Sequence, residues 1–248
     1  MKPYRTIVAV TATALLVAMN VGVAHADDVT GETRGGTVEA LVALNPGASA
    51  QELRDEADRL AAELGSTPHE VLEQQLAEAQ ESAAAAGAAG QVVGRASSGG
   101  GTVALGKADR KGDIFVSPAS TLFVQHGHTG IFYTPSTIVE APGAGKNSRS
   151  ASVDGIKVGK GAVKQHVSTT QANRDKAANY AYNSMRGKPY NANFVSNRTV
   201  PASSYNCSQL VWGAYKHTTG IDLDSNGGAG VYPYNIKDSS KTVTYKTL

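Results

Sequence analysis

Apolar side chains between residues 49 and 83 recur at the spacing of two amphipathic helices. The apolar positions are Leu53, Ala57, Leu60 and Leu64 in the first helix and Leu72, Leu76, Ala79 and Ala83 in the second. A capping box precedes each helix, at residues 49–52 and 67–70, and Gly65 ends the first helix. The pattern therefore predicts a helical hairpin.

From residue 102 onward the pattern changes to short apolar runs that are divided by turns. The runs that predict strands cover residues 112–116, 128–133, 137–141, 154–163 and 242–245. Helical spacing predicts one helix over residues 170–186, stopped by Gly187, and a second helix that starts at Cys207 and ends at Gly220. This mixture of elements indicates an α+β fold.

The first residues of the chain have the features of a secretory signal peptide. Lys2 and Arg5 precede an apolar run over residues 7–23, and the small-x-small site at 24–26 follows. No later stretch approaches the length of about 18 apolar residues that spans a bilayer. We therefore predict a signal peptide over residues 1–26 and a secreted protein, extracellular or associated with the cell wall. The short, simple signal suggests a bacterial source.

Linker composition divides the rest of the chain into two parts. Residues 83–90 are rich in alanine and glycine, and residues 97–101 read Ser-Ser-Gly-Gly-Gly. We predict an acidic helical hairpin with its linker over residues 27–96, which is a pro-region or an accessory segment. A second domain then covers residues 102–248. The stretch from 27 to 45 has weak features and receives no assignment.

The formal net charge of +2 hides two halves of opposite sign. Residues 27–98 carry 13 acidic and 4 basic side chains, whereas residues 99–248 carry 8 acidic and 17 basic ones. Long-range attraction predicts that the hairpin docks on the chain's own basic domain and restrains its activity until it is cut at the linker. Two solvated surfaces without mutual contact are the alternative. The basic half would also attract cell-wall polymers or anionic lipid, and we expect no nucleic-acid partner.

Cys207 is the single cysteine of the sequence, and it lies in the first turn of a predicted helix. Ser204 or Asn206 can cap the N–H groups of that turn. The positive end of the helix dipole favours the thiolate, which is the nucleophilic form of the side chain. A small buried apolar residue is the alternative role of a free cysteine. We expect a nucleophile, because a lone cysteine cannot form an internal disulfide and suitable partners exist elsewhere in the chain.

His128 and Glu140 are those candidate partners. His128 begins a predicted strand, and the hairpin that follows returns Glu140 to nearly the same level. In an even register the two side chains share one face, so that Glu140 can orient the imidazole. A structural histidine and a solvated glutamate are the alternative. His126 and His128 could also bind a metal, but no third ligand stands at a suggestive spacing, and we expect no metal and no other cofactor.

Several short motifs resemble one enzyme family. Gly187-Lys188-Pro189-Tyr190 followed by Cys207-Ser208-Gln209-Leu210-Val211 is similar to the NlpC-type papain-fold cysteine hydrolases. His128 and Glu140 precede the cysteine here, which is the order of the circularly permuted branch, the YiiX/YaeF-like proteins. The motifs similar to that branch cover residues 112–114, 128–131, 139–141, 205–212 and 220–223, with a tail that reaches residue 233. The resemblance spans roughly residues 112–239.

The resemblance implies a permuted papain-like core, in which an antiparallel sheet packs on the cysteine helix. In this chain the helical hairpin precedes that core. The resemblance also implies catalytic roles for three residues. Cys207 would be the nucleophile, His128 the base, and Glu140 the acid that orients the base.

The family resemblance further implies that Tyr205 and Tyr190 line the substrate cleft. Asn206 stands where ordinary cell-wall endopeptidases of this class carry an aspartate that holds a free peptide amine, so specificity for stem peptides does not follow. We expect a secreted cysteine hydrolase that cleaves an amide bond, in a cell-wall peptide or an isopeptide, through a Cys-His-Glu acyl-enzyme. A thioesterase or acyltransferase acting on lipid and a non-catalytic secreted binding module are the alternatives.

Overall fold

The computed structural model describes residues 26–91, 101–118 and 126–248. All but the last residue of the predicted signal peptide lies outside these ranges, as does most of the predicted Ser-Gly linker. Within the described ranges, no helix combines the length and the apolar character that crossing a membrane requires.

The N-terminal helical unit, which we define as residues 26–91, contains three helices rather than two. They are α1 (Ala26–Leu44), α2 (Ala50–Leu64) and α3 (Pro68–Gln91). The predicted capping box of α2 forms, the box at Thr67 and Glu70 forms ahead of α3, and Gly65 ends α2 with a left-handed φ of 66°. Periodicity failed to predict α1, which lies in the stretch left unassigned.

Two details of the predicted hairpin are wrong. Residues 83–90 continue α3 instead of starting a linker, because alanine is the best helix former and the six alanines here outweigh Gly87 and Gly90. Leu64 was placed on the apolar face, but it is the last residue of α2 and its side chain is exposed. The remaining helix faces do pack together, and α1, α2 and α3 form one apolar cluster.

The C-terminal unit, residues 101–248, is built on two antiparallel sheets. Its strands are β1 (Thr102–Ala104), β2 (Ile114–Ser117), β3 (His128–Thr134), β4 (Thr137–Glu140), β5 (Arg149–Ser152), β6 (Lys157–Gly159), β7 (Val163–Val167) and β8 (Thr242–Thr247). The larger sheet has the order β5-β4-β3-β2-β7-β8, and the smaller one pairs β1 with β6. The described part of the unit also contains three α-helices, namely α4 (Gln171–Ser184), α5 (Cys207–Thr219) and α6 (Pro233–Lys237). The fold is therefore α+β, as predicted.

The helices α4 and α5 pack on one face of the larger sheet. Their apolar residues join Ile114, Ile131 and Val139 of the central strands in the main core. Phe115 and Phe132 alternate to the opposite face, where a second apolar cluster forms against β6. Both faces of the sheet are thus covered, which fixes the register of its strands.

That register places His128 and Glu140 on the same face of the sheet. Ile131 pairs with Val139, so the antiparallel ladder sets Gly130 opposite Glu140, with His128 two residues farther along β3. The ring of Phe115 lies over Gly130 and contacts the His128 ring at a centroid distance of 5.6 Å. A Cβ atom at residue 130 would stand only 2.7 Å from the Phe115 ring, so glycine is required there.

The N-terminal helical unit packs against the C-terminal unit at several points. The Gln75 side chain of α3 donates to the carbonyl oxygen of Val195 at 3.4 Å. Ala86, near the end of α3, packs against Val116 and Tyr234. A larger apolar cluster joins residues of all three N-terminal helices to Phe194, Val195, Cys207 and Tyr232.

Candidate active site

Cys207 is the first residue of α5, at the position that the sequence predicts. Asn206 is the N-cap, and its side-chain oxygen accepts the backbone N–H of Gln209 at 2.9 Å. The Gln209 side chain reaches back to the backbone N–H of Asn206, which completes a capping box. This cap holds the thiol at the positive end of the α5 dipole. The Cys207 side chain is nevertheless buried, because the residue is only 1% exposed.

The His128 ring connects Cys207 to Glu140. The ring hydrogen-bonds the thiol of Cys207, and its Nε2 lies 2.8 Å from Oε2 of Glu140. Burial opposes a charge on the ring, but the hydrogen bonds and charges of Cys207 and Glu140 outweigh it and raise the pKa of His128 to about 10. The arrangement therefore favours the protonated, imidazolium form of His128.

Glu140 is kept ionised although its side chain is only 4% exposed. Burial raises the pKa of a carboxyl group, but the hydrogen bonds and charges of His128 and Arg149 outweigh burial and lower the pKa of Glu140 to about 2. Arg149 Nε and Nη2 both donate to Glu140 Oε1, at 3.0 and 2.8 Å. Both donors converge on one carboxylate oxygen, and hydrogen bonds between charged partners are stronger than those between neutral ones.

Arg149 is the site residue that sequence reasoning missed. It opens β5, whose four residues Arg-Ser-Ala-Ser are polar or small and were not predicted to be a strand. The pairing of β4 with β5 places Arg149 directly opposite Glu140. A hairpin assigned over residues 137–152 would have shown this cross-strand pair of opposite charges.

The three predicted substrate-binding residues take different places. Tyr190 is half-buried near the thiol; burial, and secondarily the charge of Cys207, raises its pKa well above the usual value. Tyr205 is buried in the main core, where its hydroxyl accepts the backbone N–H of Ala202 at 2.8 Å. Asn206 is fully buried, and its side chain is engaged by Gln209, Asn193, Asn197 and Ser208. A role of Tyr205 and Asn206 in substrate binding stays a prediction.

His126 does not join this site. Its ring is buried between Phe194 and Tyr232, at centroid distances of 5.3 and 4.8 Å, and burial lowers its pKa to about 4. Among the described residues, no group of three or more His, Cys, Asp and Glu side chains is arranged to hold a metal ion.

A groove of about 560 Å³ runs between α2 and the segment that carries Tyr190. Glu52, Asp55 and Glu56 of α2 line one side of the groove, and Tyr190 and its neighbours line the other. The N-terminal helical unit therefore forms part of the wall next to the site.

Comparisons with known proteins show what the chain is similar to. Residues 124–247 match the family described as permuted papain-like amidase enzyme, YaeF/YiiX, C92 family. The chain is 34% identical over 214 residues to YycO of Bacillus subtilis (strain 168), which covers 85% of this chain and 86% of that protein. It is also similar to the crystal structure of metalloprotein yiiX from Escherichia coli O157:H7. In that case the TM-score is 0.44 and the identity 18%, over 56% of this chain and 97% of the other.

Proposed function

The chain belongs to the permuted papain-like amidase family YaeF/YiiX, and we propose that it hydrolyses an amide bond of cell-wall peptide or of an isopeptide through a Cys207 acyl-enzyme. Membership confirms the resemblance that the motifs indicate and makes the chain a cysteine amidase or peptidase. The single observation that supports this mechanism is the hydrogen-bonded series from Cys207 through His128 to Glu140.

Each proposed step uses groups that lie at this site. After its proton has passed to His128, Cys207 Sγ attacks the amide carbonyl, and N–H groups at the start of α5 donate to the oxyanion. The His128 imidazolium then protonates the leaving amine as the C–N bond breaks, which leaves the acyl group on sulfur. Neutral His128 next takes a proton from water, and the hydroxide releases the acid from the thioester.

The proposed site of action rests on the sequence. The leader with Lys2, Arg5 and the apolar run supports export, and the basic C-terminal half supports binding to an anionic wall or membrane. Screening muropeptides, isopeptides and lipid esters with the wild type and Cys207→Ala tests the substrate class. We expect amine release from a peptide substrate by the wild type alone. Turnover restricted to lipid esters would replace the amidase proposal with a lipid-directed acyl hydrolase.

We also propose that the N-terminal helical unit restrains this activity by covering the nucleophile. The support is the burial of Cys207 in one apolar cluster with Val38, Leu41 and Leu72 of that unit. Polar contacts also join this unit to the C-terminal unit. Glu56 accepts a hydrogen bond from Ser196, and the backbone of Gly230 hydrogen-bonds Glu78. A substrate as large as a peptide would need this cover to move.

A matched pair of substitutions in the full chain tests the cover. Ala86→Asp would bury a carboxylate against Val116 and Tyr234, whereas Ala84→Asp changes an exposed position on the same helix. We expect Ala86→Asp to raise the rate of Cys207 alkylation and of substrate turnover at least severalfold, and Ala84→Asp to match the wild type. Equal rates in all three proteins, with the unit shown to be loosened by proteolysis, would contradict the restraint.

A further inference from the structure

Arg149 completes a row of alternating charges across three neighbouring strands. β5, β4 and β3 are adjacent at one edge of the larger sheet, and they carry Arg149, Glu140 and His128. Arg149 binds Oε1 of Glu140 with two N–H groups, while His128 binds Oε2 at 2.8 Å. Each oxygen of the Glu140 carboxylate therefore hydrogen-bonds one neighbouring side chain. The row ends at Cys207, which hydrogen-bonds the His128 ring.

We propose that Arg149 is a positioning residue, which holds Glu140 with Oε2 toward His128 and balances the carboxylate charge. The inference rests on the proposed function, because it assigns a role in forming the thiolate and imidazolium of that mechanism. Arg149 does not contact the reacting atoms, so its effect reaches Cys207 only through Glu140 and His128.

Charge balance supports this role. A carboxylate as buried as Glu140 needs compensating charge or donors close by. In the reactive state the thiolate and the imidazolium offset each other, which leaves Arg149 to offset Glu140. Without Arg149 the set would carry a net negative charge, and a negative surrounding disfavours the ionisation of a thiol. The reactive state would then form only at higher pH.

The strand that carries Arg149 is anchored independently of the guanidinium. Ser148 Oγ donates to the carbonyl oxygen of Met185 at 2.6 Å, and Ser148 exchanges two backbone hydrogen bonds with Gly187 and Lys188, ahead of Tyr190. The Arg149 side chain is 51% exposed. Its guanidinium is held at this exposed position by the two hydrogen bonds to Glu140.

The alternative is that the ion pair only joins β4 to β5, and the pH dependence of thiol reactivity separates the two roles. We would measure alkylation of the single cysteine by iodoacetamide in the full chain, from about pH 3 to pH 9, for the wild type, Arg149→Gln and Arg149→Lys. Arg186→Gln is the matched control, because Arg186 donates to Ser150 of the same strand but does not contact Glu140. His128→Gln reports on the proposed mechanism itself.

The alkylation rate should fall at low pH, where the thiolate is lost, and we call this part of the profile the acid limb. We expect the acid limb of Arg149→Gln to lie about one pH unit higher than that of the wild type. The acid limb of Arg149→Lys should lie between those of Arg149→Gln and the wild type, since lysine keeps the positive charge but cannot reproduce the paired hydrogen bonds of the guanidinium. Arg186→Gln should match the wild type, and His128→Gln should shift the limb farthest. The inference would be overturned if the acid limb of Arg149→Gln lay at the wild-type pH while that of His128→Gln was shifted. This result would leave the proposed function intact.

An unshifted limb in His128→Gln would instead reject the proposed Cys-His pair. Thermal unfolding shows which variants are folded over the measured range. If Arg149→Gln does not fold, Arg149→Lys tests the inference instead. An acid limb identical to that of the wild type in Arg149→Lys would then exclude a positioning role for the two hydrogen bonds to Glu140.

Discussion

Two of the described histidine–carboxylate pairs lie at the larger sheet, and they have nearly the same N–O distance but different surroundings. His128 Nε2 lies 2.8 Å from Glu140 Oε2, and His166 Nδ1 lies 2.9 Å from Asp113 Oδ1. The first pair reaches Cys207, which is the single cysteine of the sequence. The ring of the second stacks on Tyr245, at a centroid distance of 4.2 Å.

Different parts of α5 face the two pairs, and this explains the difference between them. The N-terminus of the helix presents Cys207 and a positive dipole end to His128. Two turns farther along, the Tyr215 hydroxyl donates to the carbonyl oxygen of Gly112, next to Asp113. The second pair therefore meets the body of the helix and tyrosine rings, with no thiol. A histidine–carboxylate pair becomes a candidate catalytic device only where the fold supplies a nucleophile.

Removing the proposed nucleophile, Cys207, should give the largest effect. We expect Cys207→Ala to lower amide hydrolysis by about 10⁴-fold or more, because no other thiol exists in the chain to form the acyl-enzyme. The measurement is the release of amine from the substrate found by screening. Full activity of a purified, folded Cys207→Ala protein would reject the acyl-enzyme mechanism.

Neutralising the carboxylate of each pair sharpens the comparison. We expect Glu140→Gln to lower turnover about 100-fold or more but not to abolish it, since the thiol and the oxyanion donors remain. Asp113→Asn is the matched change in the second pair and should leave turnover within about a factor of two. Comparable losses of turnover in both variants, at equal folded fractions, would show that the two pairs are not functionally distinct.

The pH profile should reflect the charge that Cys207 and Glu140 impose on His128. The pKa of this ring is raised from the ordinary value of 6.5 to about 10, so the imidazolium persists to alkaline pH and is lost as the pH rises through about 10. We expect the alkaline limb of the turnover profile near that pH in the wild type. The limb should move down in Glu140→Gln, which removes one cause of the shift. An alkaline limb near pH 6.5 in the wild type would contradict the ion pair.

The smallest effect on turnover is expected from His166→Gln. This change should alter turnover less than about twofold but lower the free energy of unfolding by about 1–3 kcal/mol, because buried Asp113 loses a hydrogen-bond partner. Chemical denaturation and steady-state kinetics on one preparation provide both values. A large loss of turnover without a loss of stability would assign the second pair a catalytic role.

Local sequence determined much of this protein. Capping boxes and helical spacing placed α2, most of α3 and the start of α5, since these signals act within a few residues of the chain. The hairpin of β3 and β4 was predicted for the same reason. The α+β class and the family also follow from the sequence, because the motifs occur in the order of the permuted branch.

Only the tertiary structure decided the rest. His128 and Glu140 lie on the same face of the sheet only in the observed register of β3 and β4. That register is fixed because both faces of the sheet are buried, and a shift by one residue would move each side chain to the other face. Arg149 enters the site through pairing across a hairpin whose second strand has no apolar pattern. The burial of Cys207 beneath α1 to α3 likewise depends on packing between segments far apart in the chain, and local periodicity carries no signal of it.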